Sequence, residues 1–108
     1  MKILFICNQN ENRSRTAKEL FKGRYETKSA GLFNTKPVSE KEISWADLII
    51  VMEDRHRSEI AKRFPELYMQ KRILSLNIDD VYSYRDIKLI EELNKKMMRI
   101  AEPILATH

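Results

Sequence analysis

One stretch decides the fold: Ile3-Leu4-Phe5-Ile6-Cys7-Asn8-Gln9-Asn10-Glu11-Asn12-Arg13-Ser14, residues 3–14. Its first part is a continuous apolar run, which is typical of a β-strand buried on both faces. The polar residues that follow predict a tight loop, and the pattern from Arg15 to Lys22 predicts a helix. Backbone N–H groups converge where a strand passes through a loop into a helix, and the helix dipole favours negative charge there. The stretch therefore predicts an anion-binding loop.

Cys7 and Arg13 are the two side chains of this loop that carry chemistry. An anion site favours the thiolate of a cysteine, which is its nucleophilic form. An arginine can hold two oxygens of one phosphate through parallel hydrogen bonds. A free cysteine is also common as a small apolar core residue, and the spacing of Cys7 and Arg13 alone is a weak motif. In its strand–loop–helix context, the pair favours transfer of a phosphoryl group onto sulfur.

Composition sets the class of protein. The chain has 108 residues, of which 43% are hydrophobic and 33% charged, and a formal net charge of +4. These values predict one globular domain over residues 1–108. A single cysteine excludes an intramolecular disulfide and predicts a reducing compartment. The apolar start is too short for a signal peptide or a membrane span, so we expect a cytoplasmic protein that does not bind membranes.

The remaining pattern alternates between strands and helices. Further strands are predicted at Glu26–Ala30, Asp47–Met52 and Arg72–Leu76. Ser39 and Glu42 form a potential capping box for a short helix, and Asp54 can begin a helix that Pro65 ends after Phe64. Asp86 can cap a long last helix, which Pro103 would kink or shorten. The alternation predicts an α/β three-layer sandwich with a four-stranded parallel sheet, of the flavodoxin-like kind.

Ligands of such sheets bind at the carboxyl ends of the strands, and Cys7 ends the first strand. Basic residues are interleaved with acidic ones, and no aromatic-rich basic stripe predicts nucleic-acid binding. His56 has charged neighbours and is expected to be solvated. Histidines and Cys7 show no metal-ligand spacing, so neither a metal nor another cofactor is expected.

Four segments of the chain resemble the low-molecular-weight protein tyrosine phosphatases, and in particular their compact prokaryotic branch. They are Ile6–Ser14 continuing to Glu19, then Ser29–Gly31, then Ala46–Met52, and finally Asp79–Tyr84. The chain departs from the usual family pattern at four places: Gln9 replaces Gly, Asn12 replaces Cys, Arg15 replaces Pro and Val81 replaces Pro.

The resemblance implies roles for individual residues. Cys7 would attack phosphorus, and Arg13 would hold the phosphoryl oxygens. The phosphate would lie against the backbone N–H groups of the loop residues Asn8, Gln9, Asn10, Glu11, Asn12, Arg13 and Ser14. Asn10 matches an asparagine that holds the loop in a left-handed conformation, and the Ser14 hydroxyl would donate to the thiolate. Tyr82, with Tyr84 and Phe33, would line a cleft for a phosphotyrosine ring.

A leaving phenolate needs a proton, so a carboxylic acid must reach the site. Asp79 and Asp80 are the candidates. Asp80 aligns with the family's aspartate because Tyr82 follows two residues later, and it is the favoured general acid. An aspartate pair that merely favours a turn is the other interpretation.

The implied activity is hydrolysis of phosphotyrosine in proteins, or of small aryl phosphomonoesters, through a phosphocysteine intermediate. Two other classes remain open: a phosphocarrier with a phosphorylated cysteine, and a module that binds phosphate or phosphopeptides without turnover. A related branch of the fold reduces arsenate, but that chemistry uses further cysteines, which this chain lacks.

Overall fold

The computed structural model describes residues 1–106 as alternating strands and helices. The strands are β1 (Lys2–Cys7), β2 (Glu26–Gly31), β3 (Leu48–Val51) and β4 (Arg72–Ser75). The helices are α1 (Arg13–Phe21), α2 (Glu40–Trp45), α3 (Asp54–Arg63), α4 (Pro65–Gln70), α5 (Ile87–Lys96) and α6 (Glu102–Leu105), with a π-helical turn at Met97–Ala101.

The strands form one parallel sheet in the order β2-β1-β3-β4. Cys7 pairs with Gly31 on one side, and Ile6 pairs with Val51 on the other. β1 is therefore central, which explains why its sequence is a continuous apolar run. The chain leaves β1 toward β2 and later returns to the other side of β1, so the carboxyl end of β1 is the switch point at which such sheets bind ligands.

Successive side chains of β1 and β3 enter two cores on opposite faces of the sheet. On one face Ile3, Phe5 and Cys7 pack in a core with residues of α1, α5 and the π-helical turn. On the other face Leu4 and Ile6 lie in a core with residues of α2 and α3, and α4 packs against it. The predicted three-layer sandwich with a four-stranded parallel sheet is confirmed.

Two predicted helix starts are confirmed by their hydrogen bonds. Ser39 Oγ accepts from Glu42 N–H at 3.2 Å, and Ser39 N–H donates to Glu42 Oε1 at 3.0 Å, which completes the capping box of α2. Asp86 Oδ1 accepts from Lys88 N–H at 2.8 Å at the start of α5.

Three predictions of local structure differ from the observed elements. Pro65 not only follows α3 but also begins α4, because proline suits the first position of a helix. The last helix is interrupted by the π-helical turn, in which Glu102 N–H donates to Met97 O. That turn lies just before Pro103, which lacks the N–H that a continuous helix would need there. β3 is two residues shorter than predicted. No helix among residues 1–106 is long and apolar enough to cross a membrane.

Candidate active site

The loop after β1 closes around the sulfur of Cys7. Asn10 N–H donates to Cys7 Sγ at 3.2 Å, and Ser14 Oγ lies 2.8 Å from the same sulfur. Both residues therefore contact the sulfur through a group that can donate a hydrogen bond. α1 begins at Arg13 with no side-chain cap from Asn12 and no acidic residue in its first turn, so the start of the helix adds to the positive field.

Asn10 carries the sharpest turn of the loop. Its φ of 58° is the left-handed conformation that the family resemblance implies, and asparagine adopts it more readily than most residues. Its side chain holds the turn, because Oδ1 accepts from Ser14 Oγ at 2.8 Å and Nδ2 donates to Ser29 O at 3.5 Å. The Ser14 hydroxyl thus has three acceptors within reach: Asn10 Oδ1, Cys7 Sγ and, at 3.5 Å, the Ala30 carbonyl. It can donate to Asn10 while a neutral Cys7 thiol donates to it, or it can turn its proton toward a thiolate.

The residues at and just after the end of β2 hold the loop between β1 and α1 in place. Leu32 N–H donates to the carbonyls of Cys7 and Asn8, at 3.1 and 3.0 Å, and Phe33 N–H donates to Asn8 O at 2.9 Å. Gly31 approaches so closely that a Cβ on it would lie 2.8 Å from the carbonyl carbon of Gln9. Glycine is therefore required at position 31 by close packing, although its φ is not positive.

Arg13 is fully buried, at 1% exposure, and only part of its guanidinium is satisfied. Nη1 donates to Glu53 Oε2 at 2.5 Å and to Ile78 O at 2.8 Å. Nε and Nη2 have no hydrogen-bond partner. The Asp80 carboxylate is the nearest anion to Nε, at 3.6 Å, which is too long for a hydrogen bond. Leaving buried guanidinium N–H groups unpaired is costly, so the arrangement favours an anionic ligand.

A small pocket opens over Cys7 and Arg13. Its lining residues are Cys7, Gln9, Glu11, Asn12, Arg13 and Asp80. The structure thus brings both predicted catalytic side chains of the loop to one cavity with Asp80. Asp79 and Tyr82 line a neighbouring groove instead, and Tyr82 packs against the core that contains Cys7.

Two other aromatic residues lie beside arginines on the surface. Tyr84 is 37% exposed, and the Arg15 guanidinium lies 4.6 Å from its ring centre. Phe33 is 49% exposed, and Arg63 lies 4.9 Å from its ring centre.

Glu53 is a site residue that the sequence analysis missed. It follows the carboxyl end of β3, where polar residues of parallel sheets often reach the ligand, and this position is the signal that could have identified it. Burial raises the pKa of Glu53, but hydrogen bonds and charge from Arg55 and Arg13 outweigh this effect and hold its pKa at about 2. Glu53 is therefore an anion that fixes the Arg13 guanidinium.

His56 was predicted to be solvated, and that prediction is wrong. It is fully buried, and its Nδ1 accepts from Glu53 N–H at 3.1 Å at the start of α3. Its Nε2 has no hydrogen-bond partner and lies 3.9 Å from Glu53 Oε2. Burial, and next the positive charges of Arg13 and Arg55, lower the pKa of His56 to about 4, so it is neutral at pH 7. Its neighbours Asp54 and Arg55 are exposed, whereas α3 turns His56 inward.

Solved structures of known phosphatases share this architecture. A YwlE arginine phosphatase from Geobacillus stearothermophilus superposes with a TM-score of 0.79 and 23% identity, over 98% of this chain and 94% of that one. A low-molecular-weight protein tyrosine phosphatase from T. tengcongensis gives a TM-score of 0.72 and 20% identity, over 89% of this chain and 92% of that one. The fold is that of the low-molecular-weight protein tyrosine phosphatases.

A third neighbour carries information about chemistry. It is a mutant of a YwlE arginine phosphatase whose active-site serine is phosphorylated, with a TM-score of 0.69 and 21% identity, over 92% of this chain and 97% of that one. Comparison by sequence is less sensitive here: no protein-family model matches the chain, and no curated sequence does. The likeness is therefore one of fold at low identity.

Proposed function

We propose that this protein is a cysteine-dependent phosphatase that hydrolyses aryl phosphomonoesters, including phosphotyrosine in proteins. The observation that carries the proposal is the buried Arg13 guanidinium, which has two unpartnered nitrogens in a pocket that it shares with Cys7. A phosphate dianion in that pocket would satisfy both nitrogens and would meet the positive start of α1.

The reaction would proceed in two balanced steps. The Cys7 thiolate attacks phosphorus, forming an S–P bond while the bond to the leaving oxygen breaks and Asp80 donates a proton to that oxygen. Water then attacks the phosphocysteine, Asp80 accepts a proton from the water, and inorganic phosphate leaves with the thiolate restored. Arg13 stabilises the charge on the phosphoryl oxygens in both steps, and Glu53 and Ile78 O hold the guanidinium in place. The phosphorylated active-site serine of the mutant neighbour supports transfer to the residue in the nucleophile's position.

A second substrate class is favoured by the chemistry of the pocket lining. The residues around the cavity include two carboxylates, Glu11 and Asp80, and no aromatic side chain. Carboxylates suit a cationic group such as a guanidinium better than a neutral phenol ring. Since one structural neighbour is described as an arginine phosphatase, hydrolysis of the N–P bond of phosphoarginine is the alternative substrate reaction at the same Cys7.

The central test uses para-nitrophenyl phosphate with the wild type and with Cys7→Ser. We expect steady turnover by the wild type and no measurable turnover by the variant. Cys7→Ser should still bind inorganic phosphate, because the loop amides and Arg13 remain. Undiminished activity of Cys7→Ser would contradict the proposal. A wild type that binds phosphate without turnover would identify a binding module, and one that is phosphorylated only by a donor protein would identify a phosphocarrier.

Substrate class is tested by comparing kcat/KM for two peptides that differ only in having phosphotyrosine or phosphoarginine at the same position. Glu11→Gln separates the two interpretations further. If the carboxylate recognises a guanidinium, this variant loses activity on phosphoarginine while its activity on phosphotyrosine is unchanged.

A further inference from the structure

A second concavity lies next to the phosphate pocket and has a different charge. It lies between the segment after β4 and the end of α5 with its π-helical turn. Its charged and aromatic lining residues are Asp79, Tyr82, Glu92, Lys95, Lys96 and Arg99. We call this feature the basic groove, because cations outnumber anions along it.

Within residues 1–106, the cations of the basic groove make no ion pair. Among residues 1–106, neither Lys95, Lys96 nor Arg99 takes part in an ion pair or a side-chain hydrogen bond, although Glu92 is three and four residues from the two lysines. Arg24 and Arg63, by contrast, are paired with Glu102 and Glu59, whereas the exposed Lys41 and Lys62 stand without an ion pair in the described part of the chain. The groove therefore presents positive charge that is free to meet an anionic ligand.

The basic groove is joined to the phosphate pocket by three consecutive residues. Ile78 lines the groove, and its carbonyl accepts a hydrogen bond from Arg13 Nη1 at 2.8 Å. Asp79 lines the groove, and Asp80 lines the phosphate pocket. A polypeptide with its phosphorylated side chain over Cys7 would therefore place neighbouring residues against the groove.

We propose that the basic groove binds acidic side chains of a polypeptide substrate, on one side of the phosphorylated residue. This inference rests on the proposed phosphatase function and adds a substrate preference to it. Lys95 and Arg99 are exposed and stand four residues apart, so both can meet carboxylates of one extended segment. The half-buried ring of Tyr82 forms part of the floor of the groove. Small aryl phosphates do not extend to the groove and are turned over without it.

The test compares Lys95→Glu/Arg99→Glu with Lys41→Glu/Lys62→Glu. The control pair changes the net charge equally, at exposed lysines of α2 and α3 on the opposite face of the sheet. The substrates are three phosphopeptides. One has glutamates on the amino-terminal side of the phosphorylated residue, the second has them on the carboxyl-terminal side, and the third has neutral residues on both sides. We expect wild type to prefer one acidic peptide over the neutral peptide by about tenfold in kcat/KM, with the preference weakening at high salt. Lys95→Glu/Arg99→Glu should lose that preference, and the control pair should keep it.

Turnover of para-nitrophenyl phosphate separates this inference from the proposed function. Both double variants should match the wild type on this substrate, because none of the four positions lines the phosphate pocket. A wild type that turns over para-nitrophenyl phosphate but shows no preference for acidic peptides would overturn the groove proposal alone. An equal loss of preference in both double variants would also overturn it, since net charge rather than the groove would then be responsible. A wild type inactive on every substrate would overturn the proposed function instead.

Discussion

At the scale of single residues, Arg13 links the chemistry of the site to the core. Its guanidinium is buried, and its nitrogens are divided between structure and ligand. Glu53 and the Ile78 carbonyl take Nη1, whereas Nε and Nη2 remain for a phosphoryl group. A lysine at position 13 could not serve both purposes, because its single ammonium lacks the planar, divided geometry of a guanidinium.

We therefore expect Arg13→Lys to lower kcat/KM for para-nitrophenyl phosphate by about a hundredfold or more, the range for losing a main transition-state donor. Arg15→Lys is the matched control, since Arg15 is two residues away, exposed and stacked on Tyr84. Activity of the control should stay within a few-fold of the wild type. Steady-state kinetics on both variants measure the difference, and equal activities would show that Arg13 does not hold the phosphoryl group.

Asp79 and Asp80 are adjacent in sequence, so a substitution at one is the control for the same substitution at the other. Asp80 lines the phosphate pocket and Asp79 the basic groove, so only Asp80→Asn should remove the general acid. We expect Asp80→Asn to lower kcat on phenyl phosphate by about a hundredfold, with a smaller loss on para-nitrophenyl phosphate, whose leaving group needs less protonation. Asp79→Asn should be close to the wild type on both. If Asp79→Asn were the impaired variant, the role of acid would pass to Asp79.

At the scale of elements, the strands and the phosphate loop could be predicted because their sequence signals are local. The apolar run of β1, the loop after it and the capping residues Ser39 and Asp86 each specify structure within a few residues. α4 and the π-helical turn were missed because each depends on how the chain packs around a proline. Glu53 was missed because its role arises from its contact with Arg13, forty residues away in sequence. His56 was missed because its charged neighbours in sequence do not reveal that its own side chain is buried.

Substitutions at two glycines test whether the loop between β1 and α1 depends on its close packing against β2. A methyl group at position 31 would press on the Gln9 backbone at 2.8 Å, so Gly31→Ala must displace the loop or the strand. We expect it to cost about 1–3 kcal/mol of stability, as overpacking usually does, and to lower kcat/KM. Gly23→Ala is the control, because no atom lies within 4 Å of its added methyl group. Urea unfolding and turnover of both variants give the comparison. Gly31→Ala with wild-type stability and activity would show that the loop does not depend on this close approach.

At the scale of the whole molecule, the site depends on the sheet closing as a unit. Cys7 ends β1, whereas Glu53 and Ile78 follow β3 and β4. Arg13 contacts Glu53 and Ile78 only when β1, β3 and β4 are paired. The charges that serve the ligand therefore also affect global stability. Glu53 and His56 lie behind Arg13, and both have pKa values below their ordinary range, so acid should weaken the fold in two separate ranges of pH.

His56 affects the free energy of unfolding in the higher of these two pH ranges. Its pKa is about 4 in the folded protein and 6.5 ordinarily, so between these values the unfolded chain binds a proton that the folded protein excludes. Stability is then complete above pH 6.5 and falls as the pH is lowered toward 4, by about 3 kcal/mol in all. Glu53 adds its loss only below pH 4.5, its ordinary value, down to about 2. Measurements between pH 4.5 and 7 therefore report mainly on His56.

His56→Asn should remove this dependence while keeping the start of α3 intact, because an asparagine oxygen can accept the Glu53 N–H as Nδ1 does. The variant is expected to be less stable than the wild type at pH 7, since the smaller side chain leaves space in the core. Its free energy of unfolding should nevertheless change much less between pH 7 and pH 4.5. Urea unfolding of both proteins at several pH values gives the two slopes. If the free energy of unfolding depended on pH equally in both proteins, protonation of His56 would not destabilise the fold. The burial of His56 would then not make the protein sensitive to acid.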